Sequence, residues 1–205
     1  MSTVLAGLLT GLSLIVAIGA QNAYVLRQGV LRSHVTSVVA VCAISDLILI
    51  VAGVSGIGTL VDHAPWVIEV VRWFGVAFLV WYGVGSLRRA FAPASLEPTA
   101  AAPSASVVGR QTVLRAVALT WLNPHVYLDT VLLVGSIAAA YEVAHPGGRW
   151  LFATGAAAAS IVWFTSLGYG ARLLAPVLTR PRAWQALEIV IALTMFGIAA
   201  KLATG

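Results

Sequence analysis

Residues 36–61 read TSVVAVCAISDLILIVAGVSGIGTLV, and the only charged residue among them is Asp46. A helix needs about 20 apolar residues to cross a bilayer core of about 30 Å, and this stretch supplies them. Five further stretches qualify in the same way, at 3–25, 65–87, 114–138, 150–172 and 184–203. The expected fold is therefore all-α. It is a polytopic, multi-pass membrane protein with six transmembrane helices and little chain left for anything outside the lipid bilayer.

Composition agrees. Hydrophobic residues make up 60% of the 205 and charged residues 9%, whereas a soluble domain carries about 25% charged residues. Too few charges exist to cover a water-facing surface. That sets aside a soluble enzyme, a disordered chain and a nucleic-acid binder, despite the net charge of +5. The single Cys42 excludes an intramolecular disulfide framework and a cysteine metal cluster. No Lys or Arg precedes Arg27, so the first apolar run lacks a signal peptide's basic flank, and residues 1–26 are read as mature protein.

The Lys and Arg residues lie between the spans, where they set orientation. Arg27, Arg32, Arg88, Arg89, Arg110, Arg115, Arg172, Arg180 and Arg182 follow spans one, three and five. Arg72, Arg149 and Lys201 fall on the other side. Nine against three places the odd-numbered loops in the cytoplasm and both termini outside. Trp66, Trp73, Trp150 and Trp184 fall near span ends, as interfacial anchors do.

Residues 91–111, FAPASLEPTAAAPSASVVGRQ, have no apolar period and are rich in Ala, Pro and Ser. They read as a flexible cytoplasmic linker between a first three-helix repeat, 1–90, and a second, 112–205. The halves share weak motifs: Gln21-Asn22-Ala23-Tyr24-Val25 against Leu122-Asn123-Pro124-His125-Val126, and Trp81-Tyr82-Gly83 against Met195-Phe196-Gly197. Three helices per half is an odd number, so the repeats must be inverted, a plan that puts substrate near the midplane. Chance similarity among apolar segments is the competing account. Asn22 also sits nearer the cytoplasmic end of its span than Asn123 does. Either span one is broken around Gly19-Ala20-Gln21-Asn22, or the topology has five spans.

Asp46 lies about 15 Å deep in span two, counting 1.5 Å per residue. A charge there costs about 2.5–3.5 kcal/mol on insertion scales and normally faces a cavity or a partner. Pro124 should break span four, since proline lacks an N–H and clashes with the carbonyl of Thr120. Asn123 adds an amide beside that break, and Tyr127 follows four residues later. His125 and Asp129, four apart on one helical face, make a candidate proton-responsive pair. Each has a bland alternative in an ordinary interhelical contact. No metal site is expected, because His34, His63 and His145 fall in loops or at span ends. Nor is a cofactor: no GxxxxGK phosphate loop, GxSxG elbow or HExxH helix occurs. The spacing Gly7-x-x-x-Gly11 permits close helix approach, within the chain or in a homodimer.

Three motifs resemble those of the LysE-type basic amino-acid exporters. They are Ile18-Gly19-Ala20-Gln21-Asn22-Ala23-Tyr24-Val25-Leu26-Arg27-Gln28-Gly29, Cys42-Ala43-Ile44-Ser45-Asp46, and Thr120-Trp121-Leu122-Asn123-Pro124-His125-Val126-Tyr127-Leu128-Asp129-Thr130. The resemblance covers nearly the whole chain. Neutral amino-acid and homoserine exporters carry a Pro-Gly-Pro-type element where this chain has Gly19-Ala20-Gln21, which favours the basic branch. What the resemblance implies is export of L-lysine, L-arginine or both from a bacterial cytoplasm through the inner membrane. The family's motif residues fall here at Gln21, Asn22, Asp46, Asn123, Pro124, His125 and Asp129. The chemistry then suggests Gln21, Asn22, Asp46, Asn123, Pro124 and Tyr127 for substrate, and His125 with Asp129 for coupling to protons. Export of neutral amino acids or of a metal cation through the same acids stays open, as does a membrane protein that transports nothing.

Overall fold

The computed structural model describes residues 2–16, 19–56, 65–91, 105–123, 126–144, 146–174, 176 and 181–204. The described residues are helical, with no strand among them. Eight α-helices follow in order: α1 (Thr3–Ile15), α2 (Ala20–Leu31), α3 (Val35–Val54), α4 (Pro65–Phe91), α5 (Ala105–Trp121), α6 (Val134–Ala144), α7 (Gly148–Gly170) and α8 (Pro181–Thr204). A π-helical segment, Tyr127–Leu133, leads into α6, and a 3₁₀ turn, Ala171–Leu174, ends α7.

Three stretches are each long and apolar enough to cross a membrane: α3, α7 with its 3₁₀ extension, and α8. The pair α1 and α2 makes a fourth if taken as one bent span. Expected spans one and four are not continuous helices. The first breaks between Ile15 and Ala20, and its two arms meet at 83°. The second stops at Trp121 and resumes at Val126. Asn123, in the gap, precedes a proline and is not helical, as the clash of the proline ring with the preceding residue requires. Pro124 and His125 themselves lie outside the described residues. So do 92–104, most of the expected linker. Its remainder, Phe91 and 105–111, is already helix. No proline interrupts the chain between Pro103 and Pro124, so α5 keeps every backbone donor.

α3 runs through the middle of the bundle and packs on α7 and on the α5–α6 path. α1 lies along α7, and α4 along α8. The first contact is close because both helices put glycine there. A Cβ on Gly7 would run into the carbonyl of Phe152, and one on Gly155 into that of Val4. The glycine spacing that could have served a dimer is thus filled by α7 of the same chain.

Burial is sorted as lipid requires. On α3 the buried stripe is Val38, Val39, Cys42, Ser45, Asp46, Leu49, Ile50 and Gly53, recurring every three or four residues. Ile44, Leu47, Ile48 and Val51 face outward. The outward face of this helix is apolar, and its one charge lies on the buried face. Two apolar cores result. Tyr24, Cys42, Leu79, Tyr82, Leu119, Phe164, Ile191 and Met195 belong to one, toward the arginine-rich end. Ile50, Val54, Val134, Ala138, Phe152 and Ala156 belong to the other.

Candidate functional site

A cavity of about 320 Å³ lies at the junction of the two cores, where both helix breaks converge. Gln21, Asn22, Asp46, Asn123 and Asp129 all line it. These residues come from four separate elements, and the sequence reading had put each at the site. A ligand pocket usually measures about 300–1,000 Å³ and is apolar with a few convergent polar groups. Here Leu14, Ile15, Ile50, Val134 and Ile198 supply the apolar wall.

Asp46 reaches the cavity because it shares the buried stripe of α3. Its Oδ2 accepts the hydroxyl of Ser160 on α7 at 2.9 Å. Ser160 also lines the cavity, and no motif in the sequence marks it as a site residue. Gln21 lies beside Asp46 and Cys42, but its buried Nε2 closes a hydrogen bond with neither. That leaves an amide donor facing the same space.

Asn22 holds the first break together. Its Nδ2 donates to the carbonyl of Ile15 at 2.6 Å, and its Oδ1 accepts the indole N–H of Trp163 at 3.1 Å. Non-helical backbone at membrane depth is tolerated only where protein or a cavity satisfies it, and here the Asn22 side chain supplies the partner. Tyr127 plays the same part at the second break. Its hydroxyl donates to the Trp121 carbonyl at 2.8 Å, and it does not line the cavity. The sequence reading had counted it with the substrate residues.

Asp129 sits within that π-helical turn and lines the cavity with Thr130. Short π segments inside helices recur at functional sites. His125, its expected partner, lies outside the described residues. Lys201 of α8 completes the ionisable set. The sequence reading had used it only as a charge for orientation. Two carboxylates and one ammonium give the cavity a formal charge of −1. Among the described residues no three His, Cys, Asp or Glu converge as a metal site would need.

Glu188 is a larger omission. It falls within the expected sixth span and is wholly buried, with Arg27 at 2.7 Å and Arg89 at 3.2 Å. An acid inside an apolar span was the available signal.

The chain matches the family described as LysE type translocator over residues 12–205. It is 40% identical to the lysine exporter LysE of Corynebacterium diphtheriae, over 98% of this chain and 99% of that relative. It is 36% identical to the lysine exporter LysE of Corynebacterium glutamicum, over 98% of each. With the arginine exporter protein ArgO of Klebsiella pneumoniae the identity is 42%, over 96% of this chain and 91% of that one. No solved structure matches it. The motifs around the two helix breaks and the extent of these matches lead to one conclusion: the chain belongs to the LysE type translocator family, whose members are transporters and not enzymes.

Proposed function

We propose that this protein exports a basic L-amino acid, lysine or arginine, from the bacterial cytoplasm in exchange for an inward proton. The observation that carries the reading is the convergence of Asp46 and Asp129 on one cavity between two broken helices. A basic amino acid carries a net charge of about +1 at neutral pH, and the cavity has a formal charge of −1. Asp46 takes a cationic group of the cargo, oriented by Ser160. Gln21 and the backbone at Asn123 face the α-carboxylate, and Pro124 belongs to the same motif. Asp129 carries the proton, with His125 beside it in sequence. The relatives named for lysine and for arginine support the substrate class.

The packing pattern supports two inverted three-helix repeats. If α1 and α2 form span one, and α5 through α6 form span four, then span one packs on span five and span two packs on span four. A two-fold axis in the membrane plane exchanges those contacts and maps α3–α7 and α4–α8 onto themselves. Glycines mediate both exchanged contacts: Gly7 and Gly155 in one, Gly53 and Gly135 in the other. Each repeat then opens with a broken span. On this reading the arginine-rich end faces the cytoplasm and both termini lie outside.

Export needs a driver. Moving one positive charge outward against an inside-negative potential costs about 2.3 kcal/mol per 100 mV. A tenfold gradient adds about 1.4 kcal/mol. Exchange for one proton makes the transport of a singly charged cargo electroneutral.

The deciding experiment is counterflow of radiolabelled lysine and arginine in proteoliposomes, comparing wild type with Asp46→Asn. Counterflow by the wild type and its loss in a folded Asp46→Asn protein are expected. Counterflow of a neutral amino acid or a metal ion alone would overturn the basic-cargo reading.

A further inference from the structure

Beyond the cavity, toward the arginine-rich end, a layer of side chains is built around Glu188. Arg27 of α2 donates its Nε to Oε1 of Glu188 at 2.7 Å. Arg89 of α4 donates Nε to Oε1 and Nη2 to Oε2, each at 3.2 Å. Arg27 stacks on Trp184, and Arg89 on Tyr82. One turn before Arg27, Tyr24 donates its hydroxyl to the Thr112 carbonyl of α5 at 3.1 Å and packs edge-on against Tyr82. Helices α2, α4, α5 and α8 are thereby tied together. The layer is thin: Arg27 is six residues from Gln21 in the cavity wall, about 9 Å along the helix.

Breaking a buried ion pair by removing one partner is costly, because it leaves charge uncompensated. Glu188 faces two arginines, so Arg27 still compensates it when Arg89 leaves, and the freed Oε2 can accept another cation. On the reading proposed above, the cargo is such a cation, and arginine cargo is the very group already bound. We propose that Glu188 is a second cation-recognition site, on the cytoplasmic side of the cavity, held in the closed state by Arg27 and Arg89. A basic amino acid arriving from that side takes over one pairing, which frees α4 or α2 from α8 and opens the way to Asp46. Arg89 is the partner that yields. Its side chain is 37% exposed against 12% for Arg27, and its guanidinium also has Ser86 at 2.7 Å to hold it aside.

The chain supplies its own reporter. Cys42 is its only thiol, is fully buried, and belongs to the same core as Tyr24 and Tyr82. It lies one turn from Asp46, toward the arginine-rich end. The test is alkylation of Cys42 by a membrane-impermeant maleimide in inside-out vesicles, with right-side-out vesicles as the control, alongside counterflow. Lysine or arginine should speed alkylation about tenfold, as a cargo with that preference for the open form does. Citrulline, which keeps the shape of arginine without its charge, should not. Arg89→Gln should alkylate rapidly without cargo. Counterflow that proceeds while alkylation ignores cargo, with Arg89→Gln at the wild-type rate, would overturn this inference and leave the export reading standing. Rapid alkylation of Arg89→Gln with no flux of lysine or arginine would overturn the basic cargo, and the exchange at Glu188 with it. The cargo-dependent arm uses wild-type protein, so a poorly folding variant does not blunt the test.

Discussion

Ser160 donates its hydroxyl to Asp46 at 2.9 Å, and this bond joins α7 to α3 at the wall of the cavity. It fixes the carboxylate before cargo arrives. A hydrogen bond to a charged group contributes about 1.5–3 kcal/mol. Water in the cavity can replace part of that, so the low end applies. Ser160→Ala should raise the half-saturation concentration for lysine and arginine about tenfold with the maximal rate little changed. Kinetics of counterflow measure both. A half-saturation equal to wild type would mean that Asp46 keeps its pose without Ser160.

Asp129 separates binding from coupling. Counterflow exchanges labelled for unlabelled cargo and moves no net proton. We predict that Asp129→Asn retains counterflow but loses net export driven by a pH gradient. Asp46→Asn should lose both. Equal loss of the two activities in Asp129→Asn would make Asp129 a cargo ligand instead. The one-for-one stoichiometry has its own check: under clamped pH, flux should respond little to an imposed potential, and a steep response would refute it.

Tyr127 tests the helix break directly. Its hydroxyl satisfies the Trp121 carbonyl, and an unsatisfied buried carbonyl costs about 1–3 kcal/mol. Tyr127→Phe should lower the Tm of the purified protein in detergent while leaving the half-saturation for cargo near wild type. The reverse pattern, an unchanged Tm with weakened cargo binding, would return Tyr127 to the substrate set that its position in the motif first suggested.

Four residues show what the sequence could and could not reveal. Asp46 was legible because one acid in an apolar span has few physical solutions, all of them inward-facing. Ser160 was not, because a hydroxyl at the end of an alanine run reads as close packing until its partner, 114 residues away, is brought beside it. Glu188 was missed because it lies near a span end, where a charge can reach the interface unaided. Its two arginines are remote in the chain. Tyr127 was read with the substrate residues from its place in the motif, and its bond to the Trp121 carbonyl is a structural part that no motif displays. Of the six apolar stretches read from hydropathy, three are met among the described residues by helices long and apolar enough to cross a membrane, and a fourth by the bent pair α1 and α2. The break in the first was hidden, since residues 3–25 are apolar on both sides of it, and only the depth mismatch between Asn22 and Asn123 hinted at it.

The contact between α1 and α7 gives a paired prediction with opposite signs. Glycine inside a helix is less stable than alanine by about 0.5–1 kcal/mol, because it orders more backbone. Gly197 of α8 has nothing within 4 Å of where a Cβ would stand, so Gly197→Ala should raise Tm slightly and leave transport intact. At Gly155 the same methyl meets the Val4 carbonyl and the Leu8 backbone nitrogen. Neither can move without shifting α1, and overpacking of this kind costs about 1–3 kcal/mol. Gly155→Ala should therefore lower Tm. It should also slow counterflow, because Gly11 on α1 and Ala156 on α7 face one another in the cavity wall and are forced apart with their helices. Thermal unfolding and counterflow on the two variants decide the matter. A Gly155→Ala protein as stable as Gly197→Ala would mean that α1 slides along α7 at no cost, and the wall would then be a moving part instead of a fixed one.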